Sequence, residues 1–181
     1  MEKRALIGLP RLWLGVFVVG IALLVLTTGA QARVAVTFDD MVVDQGLEGS
    51  IVAVMNTVRA GAKVRALSPS RPLTRAARQH AKSMGRDGYF SHSSANGSSF
   101  TRRLDAFYAS PLVGETILWS TGDVSPEAVV TAWLDSPPHR QVLLARKWHE
   151  IGVAVIHVAH APGVYGGRDV TIVVADFGTR P

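Results

Sequence analysis

The sequence predicts an α+β domain in which a small antiparallel sheet is held between helices. Three observations lead there. Helical periodicity with one apolar side fills the middle of the chain. The C-terminal third changes to two β-branched, nearly continuous apolar runs, Ile151 to Val158 and Val170 to Ala175. The helices come before these strands instead of alternating with them, which separates an α+β arrangement from a parallel α/β one.

The N-terminus reads as a targeting segment. Lys3, Arg4 and Arg11 give a basic start, and Leu12 to Leu26 carries no charge. Ala30-Gln31-Ala32 then offers the small-x-small pattern of a signal-peptidase site. The uncharged run is 15 residues long, whereas a spanning helix wants about 20. Residues 1–32 are therefore expected to be a cleaved signal peptide, a retained signal anchor being the alternative. Either way the remainder is placed outside the cytoplasm, secreted or periplasmic. A membrane contact is expected only through an uncleaved segment.

Cleavage would leave 149 residues and lower the net charge from +5 to +3, since three basic residues and Glu2 depart. The arginines are scattered and form no nucleic-acid arm, so no nucleic-acid partner is expected. The chain has no cysteine. Thiolate nucleophiles and cysteine-ligated zinc are excluded, and stability must come from the core alone. A domain of this size buries roughly 70% of its unfolded surface, which makes that feasible.

Residues 33–46 show no clear period and read as a leader before a domain spanning 47–181. Ile51, Val54, Met55, Val58 and Ala62 follow at helical spacing, with Ser50 as N-cap and Gly61 near the end. Ser68 to Pro72 is a turn. Leu73, Ala76, Ala77, His80, Ala81 and Met84 make the cleanest helical face, which Gly85 and Gly88 end. A polar loop runs from Ser91 to Ser99, Phe100 to Tyr108 forms a short helix, and Val113 to Trp119 is extended. Ser125-Pro126-Glu127 is a helix start with Val129, Ala132 and Trp133 on its apolar side. Ser136-Pro137-Pro138 stops that helix and starts another through Leu144. The two final strands, joined through Gly163 and Gly166-Gly167, are apolar on both faces, so both faces must be covered.

Standard catalytic signatures are missing. There is no G-x-S-x-G elbow, no H-E-x-x-H and no glycine-rich phosphate loop. His149-Glu150 begins like a zinc-protease motif, but Val153 stands where the second histidine is needed. His157 and His160 are three apart on a strand end and fall on opposite faces; with His149 they read as surface or loop histidines. Three positions stand apart: His92 after the aromatic pair Tyr89-Phe90, Glu115 as a lone carboxylate among apolar residues, and His139 in the first turn of the short helix. Helix N-termini lower a histidine's pKa and keep it in the neutral, metal-binding form. Taken singly, Glu115 could be a buried carboxylate satisfied by backbone donors, and His92 could cap the preceding helix. His80 shares the apolar stripe of its helix with Leu73, Ala77 and Met84 and should face the core or its edge.

Several stretches in order carry a resemblance. His80-Ala81-Lys82-Ser83-Met84, Phe90-Ser91-His92, Gly97 and Arg103-Leu104 come first. Gly114-Glu115-Thr116 and the run Ala132-Trp133-Leu134-Asp135-Ser136-Pro137-Pro138-His139-Arg140 follow. Glu150-Ile151-Gly152-Val153-Ala154-Val155 and Asp176-Phe177-Gly178 close the pattern. Together they resemble the bacterial branch of the CAP superfamily, the cysteine-rich secretory proteins, antigen 5 and pathogenesis-related 1 proteins, over roughly residues 50–178.

The resemblance implies a three-layer α-β-α sandwich and a central cleft lined by two histidines and acidic residues. Position by position these are His92, Glu115 and His139, and in several relatives the cleft histidines hold a divalent cation, often zinc. Thr116 replaces the usual asparagine after the glutamate, and Asp135-Ser136 stands near a second glutamate of the eukaryotic members. That leaves an open site of two histidines and one carboxylate. Arg140 beside His139 opposes a cation and favours an anionic ligand. The superfamily is linked to lipid or sterol binding, to cell-wall or host-surface contact, and in isolated cases to proteolysis. The primary expectation is a non-enzymatic exported binding domain for a lipid, glycan or other cell-surface ligand. A metal-assisted hydrolase using the same cleft is the second reading, and a structural surface protein with a vestigial cleft the third.

Overall fold

The structure is a computed structural model and describes residues 40–180. The signal segment and residues 33–39 lie outside the described residues. Eleven-residue and longer strands form the centre: β4 (Glu150–Ala161) and β5 (Arg168–Gly178) make an antiparallel hairpin closed by a 3₁₀ turn at Gly163–Tyr165. β1 (Met41–Val43) flanks β4, and β3 (Val113–Thr121) flanks β5 as the opposite edge. A two-residue strand β2 (Ser68–Pro69) runs parallel to the start of β4.

Alternation along β4 and β5 explains why both runs are apolar throughout. Val153, Val155, Val173, Ala175 and Phe177 point to one face, where they meet Ile51 and Met55 of α1 (Gln45–Gly61). Val129, Val130 and Trp133 of α4 (Pro126–Asp135) and Leu143 of α5 (Pro137–Leu143) complete that core. Ala154, Ile156, Ile172 and Val174 point to the other face, against Ala77, Ala81 and Met84 of α2 (Arg71–Asp87). The short α3 (Phe100–Asp105) extends this side through Leu104, which packs with Leu73 and Tyr108. The result is the three-layer α-β-α sandwich, with one core on each face of the sheet.

Several local expectations change. The leader is not featureless: Met41–Val43 pairs with Ile156–Val158, and Asp44 caps α1 by accepting from Leu47 N at 2.8 Å. α1 therefore starts well before Ser50, whose hydroxyl instead bonds Gly46 O. Ser68–Pro69 is a strand as well as a turn, held by the neighbouring backbone. On α4 the buried residue beside Val129 is Val130, and Ala132 is exposed. Gly85 lies inside α2; a side chain there would meet Val158 at 2.8 Å, so the glycine allows helix and sheet to touch. The helix ends at Gly88, whose φ of 70° suits glycine and whose N–H bonds Met84 O. Gly152 allows a still closer approach than Gly85: a Cβ would lie 2.0 Å from Thr74 N.

One buried charge ties the other layer. Arg59 is fully buried on α1, donates to Arg65 O at 2.9 Å, and donates to the carbonyls of Leu143 and Ala145 at the end of α5. It satisfies carbonyls that the short helix leaves unpaired. Among the described residues no helix is long and apolar enough to cross a membrane.

Candidate functional site

Glu115 sits near the start of the edge strand β3 and shares the parity of Ile117, so it faces the α2 side of the sheet. Its side chain is 1% exposed. A buried carboxylate needs compensation, and two groups provide it. Arg103 of α3 donates to Oε2 in an ion pair, and its other arm donates to His92 O at 2.9 Å. His92 Nδ1 lies 2.8 Å from Glu115 Oε1. Because a carboxylate only accepts, the proton of that imidazole belongs on Nδ1, and the Nε2 lone pair is left for another partner. His92 is 49% exposed, and Phe100 meets its ring edge-on at 6.5 Å.

Two further residues complete the cluster. His80 is buried, as its helical stripe predicts, yet it also reaches the site: Nε2 is 2.9 Å from Ser91 O and 4.0 Å from Glu115 Oε2. Burial pushes its pKa down to about 4, while Glu115 opposes that shift. Asp176 pairs with Glu115 across β3 and β5 and is fully buried. Burial and the neighbouring Glu115 hold its carboxyl well above the ordinary range. Neither oxygen has a hydrogen-bond partner, which suits a protonated, uncharged Asp176.

His139 is half-buried in the first turn of α5, a helix packed against β3. Burial lowers its pKa, and a proton added to His92 would lower it further, so the two imidazoles are electrostatic neighbours. Arg140 turns away, with Nε donating to Leu134 O at 2.5 Å at the end of α4. The structure thus joins His92 to Glu115 directly and brings His139 within electrostatic reach of His92. As arranged, both Glu115 oxygens are taken, by His92 and Arg103, so Glu115 stands behind His92 as its orienting carboxylate. Among the described residues no three His, Asp or Glu side chains are set as a ready-made metal site.

The other residues that the sequence draws attention to go elsewhere on the molecule. Trp119 is in the α2-side core, edge-on to Tyr165 at 5.2 Å. His149 and His160 are exposed, and a bulge between Val158 and Ala161 takes His160 out of register. His157 is half-buried and bonds Thr171 Oγ1 at 2.9 Å. Sequence reasoning does not reach Arg103 or Asp176 as site residues. The need of a lone buried Glu115 for a cation is the one signal that points to Arg103.

With this geometry in place, comparison with known proteins is decisive for the family. The model of the cysteine-rich secretory protein family, CAP, matches residues 52–177. The chain belongs to that family. Similar bacterial proteins include YkwD of Bacillus subtilis, an uncharacterized protein, which is 30% identical over 110 residues, covering 60% of this CAP chain and 42% of YkwD. An outer surface protein of Borrelia burgdorferi superposes with a TM-score of 0.68 at 20% identity, over 78% of this chain and 98% of that one. An extracellular protein containing an SCP domain from Bacillus anthracis gives 0.60 at 25% identity, over 75% and 41%. The chain therefore spans less than half the length of two of these proteins and nearly all of the third. The CAP match begins in α1 and ends at Phe177, so it contains His80, His92, Arg103, Glu115 and Asp176 as well as His139.

Proposed function

We propose that this CAP protein is an exported binding domain whose cleft between His92 and His139 takes a divalent cation, zinc in the first instance, and through it a cell-surface lipid or glycan. The observation that carries this reading is the 2.8 Å contact of His92 Nδ1 with Glu115, itself anchored by Arg103. It orients the ring and leaves Nε2 free to ligate, which is the carboxylate-histidine arrangement found behind metal ligands. The lowered pKa of His139 keeps the second imidazole neutral at physiological pH. The two histidines would hold the ion, and a bound ion would supply Lewis acidity and a docking point for an oxygen ligand.

The same geometry favours binding over hydrolysis. A general base must be free to take a proton from water. Glu115 is spent on Arg103 and His92, and His80 is buried. The exported location is supported by the signal-like N-terminus and by similar proteins described as outer surface or extracellular. The test is a zinc titration of the purified chain beside an assay on peptide and ester libraries. One equivalent of zinc without turnover supports the reading, and chelator-sensitive turnover overturns it.

A further inference from the structure

Basic residues that are scattered in the sequence gather at one end of the sheet. Three segments meet there: 62–71 between α1 and α2, 144–149 between α5 and β4, and 178–180 at the end of β5. Backbone bonds tie them together. Ser68 N donates to His149 O at 2.9 Å, and His149 N donates to Gly178 O at 3.1 Å. Buried Arg59 donates to Arg65 O at 2.9 Å and to Ala145 O at 3.2 Å, and the Thr179 hydroxyl donates to Lys147 O. These segments carry Lys63, Arg65, Arg71, Arg146, Lys147 and Arg180, all exposed, and no Asp or Glu. Arg180 pairs with Glu150 at 3.0 Å, while the other five have no ion-pair partner among the described residues.

The opposite end of the strands is acidic. Asp40, Asp123 and Asp169 stand around His157 there, and Asp44 lies 3.5 Å from the same imidazole. The 11 residues of β5 separate the two ends by about 30–35 Å. One Debye length at physiological salt is about 8 Å, so the acidic end does not cancel the field of the basic one. The surroundings narrow the partner of that field. Basic proteins grip an anionic bilayer by inserting apolar groups as well, and at this end Leu112 is the one large exposed apolar side chain among the described residues. Single-stranded nucleic acid stacks its bases on open aromatic rings, whereas Trp148 and Tyr108 are buried beneath Lys147 and Arg180. A polyanion without bases or acyl chains needs neither feature.

We propose that this basic end binds an acidic polysaccharide, one that carries a carboxylate on successive sugars. The guanidinium forks of Arg65, Arg71 and Arg146 take the carboxylates in paired hydrogen bonds, and Lys63 and Lys147 add point charges. The three linked segments hold these groups on one rigid surface, so the polymer meets them already gathered. The inference goes beyond the His92–His139 cleft and does not rest on it, since this surface needs no metal.

Calorimetry of the purified chain with polygalacturonate, in EDTA and at low ionic strength, tests the proposal, with neutral dextran as the uncharged polymer. Saturable binding of polygalacturonate alone is expected, weakening at least about tenfold between about 50 and about 200 mM salt. Arg65→Glu combined with Arg146→Glu should weaken it at least about tenfold. Lys82→Glu combined with Arg102→Glu makes the same change of net charge beside the 91–99 loop, and should weaken it less than about threefold. All four positions are exposed or half-exposed, and circular dichroism checks the folding of each variant. His92→Ala combined with His139→Ala should leave binding unchanged. No saturable binding, equal binding of dextran, equal loss in the two charge-reversed pairs, or loss with the histidine pair would each overturn the proposal. So would tighter binding of phosphatidylserine vesicles or of single-stranded DNA. Because EDTA removes zinc from this assay, failure here leaves the zinc reading of the cleft standing.

Discussion

Glu115 and Asp176 face each other across neighbouring strands, both buried, on the side of the sheet that α2 covers. Two carboxyls so placed cannot both ionise without a cation, and among the described residues Arg103 is the arginine bonded to the pair. Arg103→Met should cost about 3–5 kcal/mol, because it strands a buried charge. Combined with Glu115→Gln, the loss should fall short of the sum of the single losses by about 0.5–3 kcal/mol. Urea denaturation of the four proteins in this cycle gives the answer; strict additivity would mean that the pair does not act as a unit.

His80 makes a prediction about pH. Its folded-state pKa of about 4 lies below the ordinary 6.5, because burial disfavours the charged ring. The charged groups around it are Glu115, which raises the pKa, and Arg103 and His92, which lower it. Between these two values the unfolded chain binds the proton more readily than the folded one. Stability from this group is therefore complete above about pH 6.5 and declines toward pH 4, by up to about 3 kcal/mol. Denaturation midpoints across this range should fall for the parent protein and fall less steeply for His80→Gln. Parallel slopes would assign the acid sensitivity to other groups.

Trp133 is 1% exposed and donates from Nε1 to Ile117 O at 3.3 Å, joining α4 to the sheet. Trp133→Ala should destabilise the domain by about 3–5 kcal/mol. A loss below about 1 kcal/mol in denaturant titration would contradict that packing.

Export makes a chemical prediction. Protein recovered from the periplasm or medium should begin at Arg33, after the small residues Ala30 and Ala32. Mass spectrometry of its N-terminal peptide reads this directly. A membrane-bound form that still carries Met1 would instead indicate a retained anchor.

How much of this is legible in the sequence depends on the physical signal. The α2 stripe from Leu73 to Met84 is readable because all its members are buried, Leu73 and Ala76 with Leu104 and Tyr108 and the others against the sheet. The β4 and β5 runs are readable because both faces are covered. β1 is not, since three residues at a sheet edge leave no period and take their conformation from the pairing with β4. Ala132 is misplaced by periodicity because Val130 sits close by and helical spacing alone does not fix the rotation of a short helix; Trp133 packing decides it. His92 and Glu115 stand out by their surroundings in sequence and by resemblance, and the structure puts them in contact. The site roles of His80 and Arg103 escape because a helical stripe tells which face is buried, and not which polar group waits there. The Glu115–Asp176 pairing depends on strand register, which follows from the long strands only once their partners are known.

The central claim is that His92 and His139 act as one ligand pair, and zinc calorimetry on the purified chain tests it most directly. The account predicts one equivalent of zinc bound by the parent protein, none by His92→Ala or His139→Ala, and one equivalent still bound by His80→Ala. A parent protein that takes up no stoichiometric zinc, or a His139→Ala variant that binds it as the parent does, would contradict it.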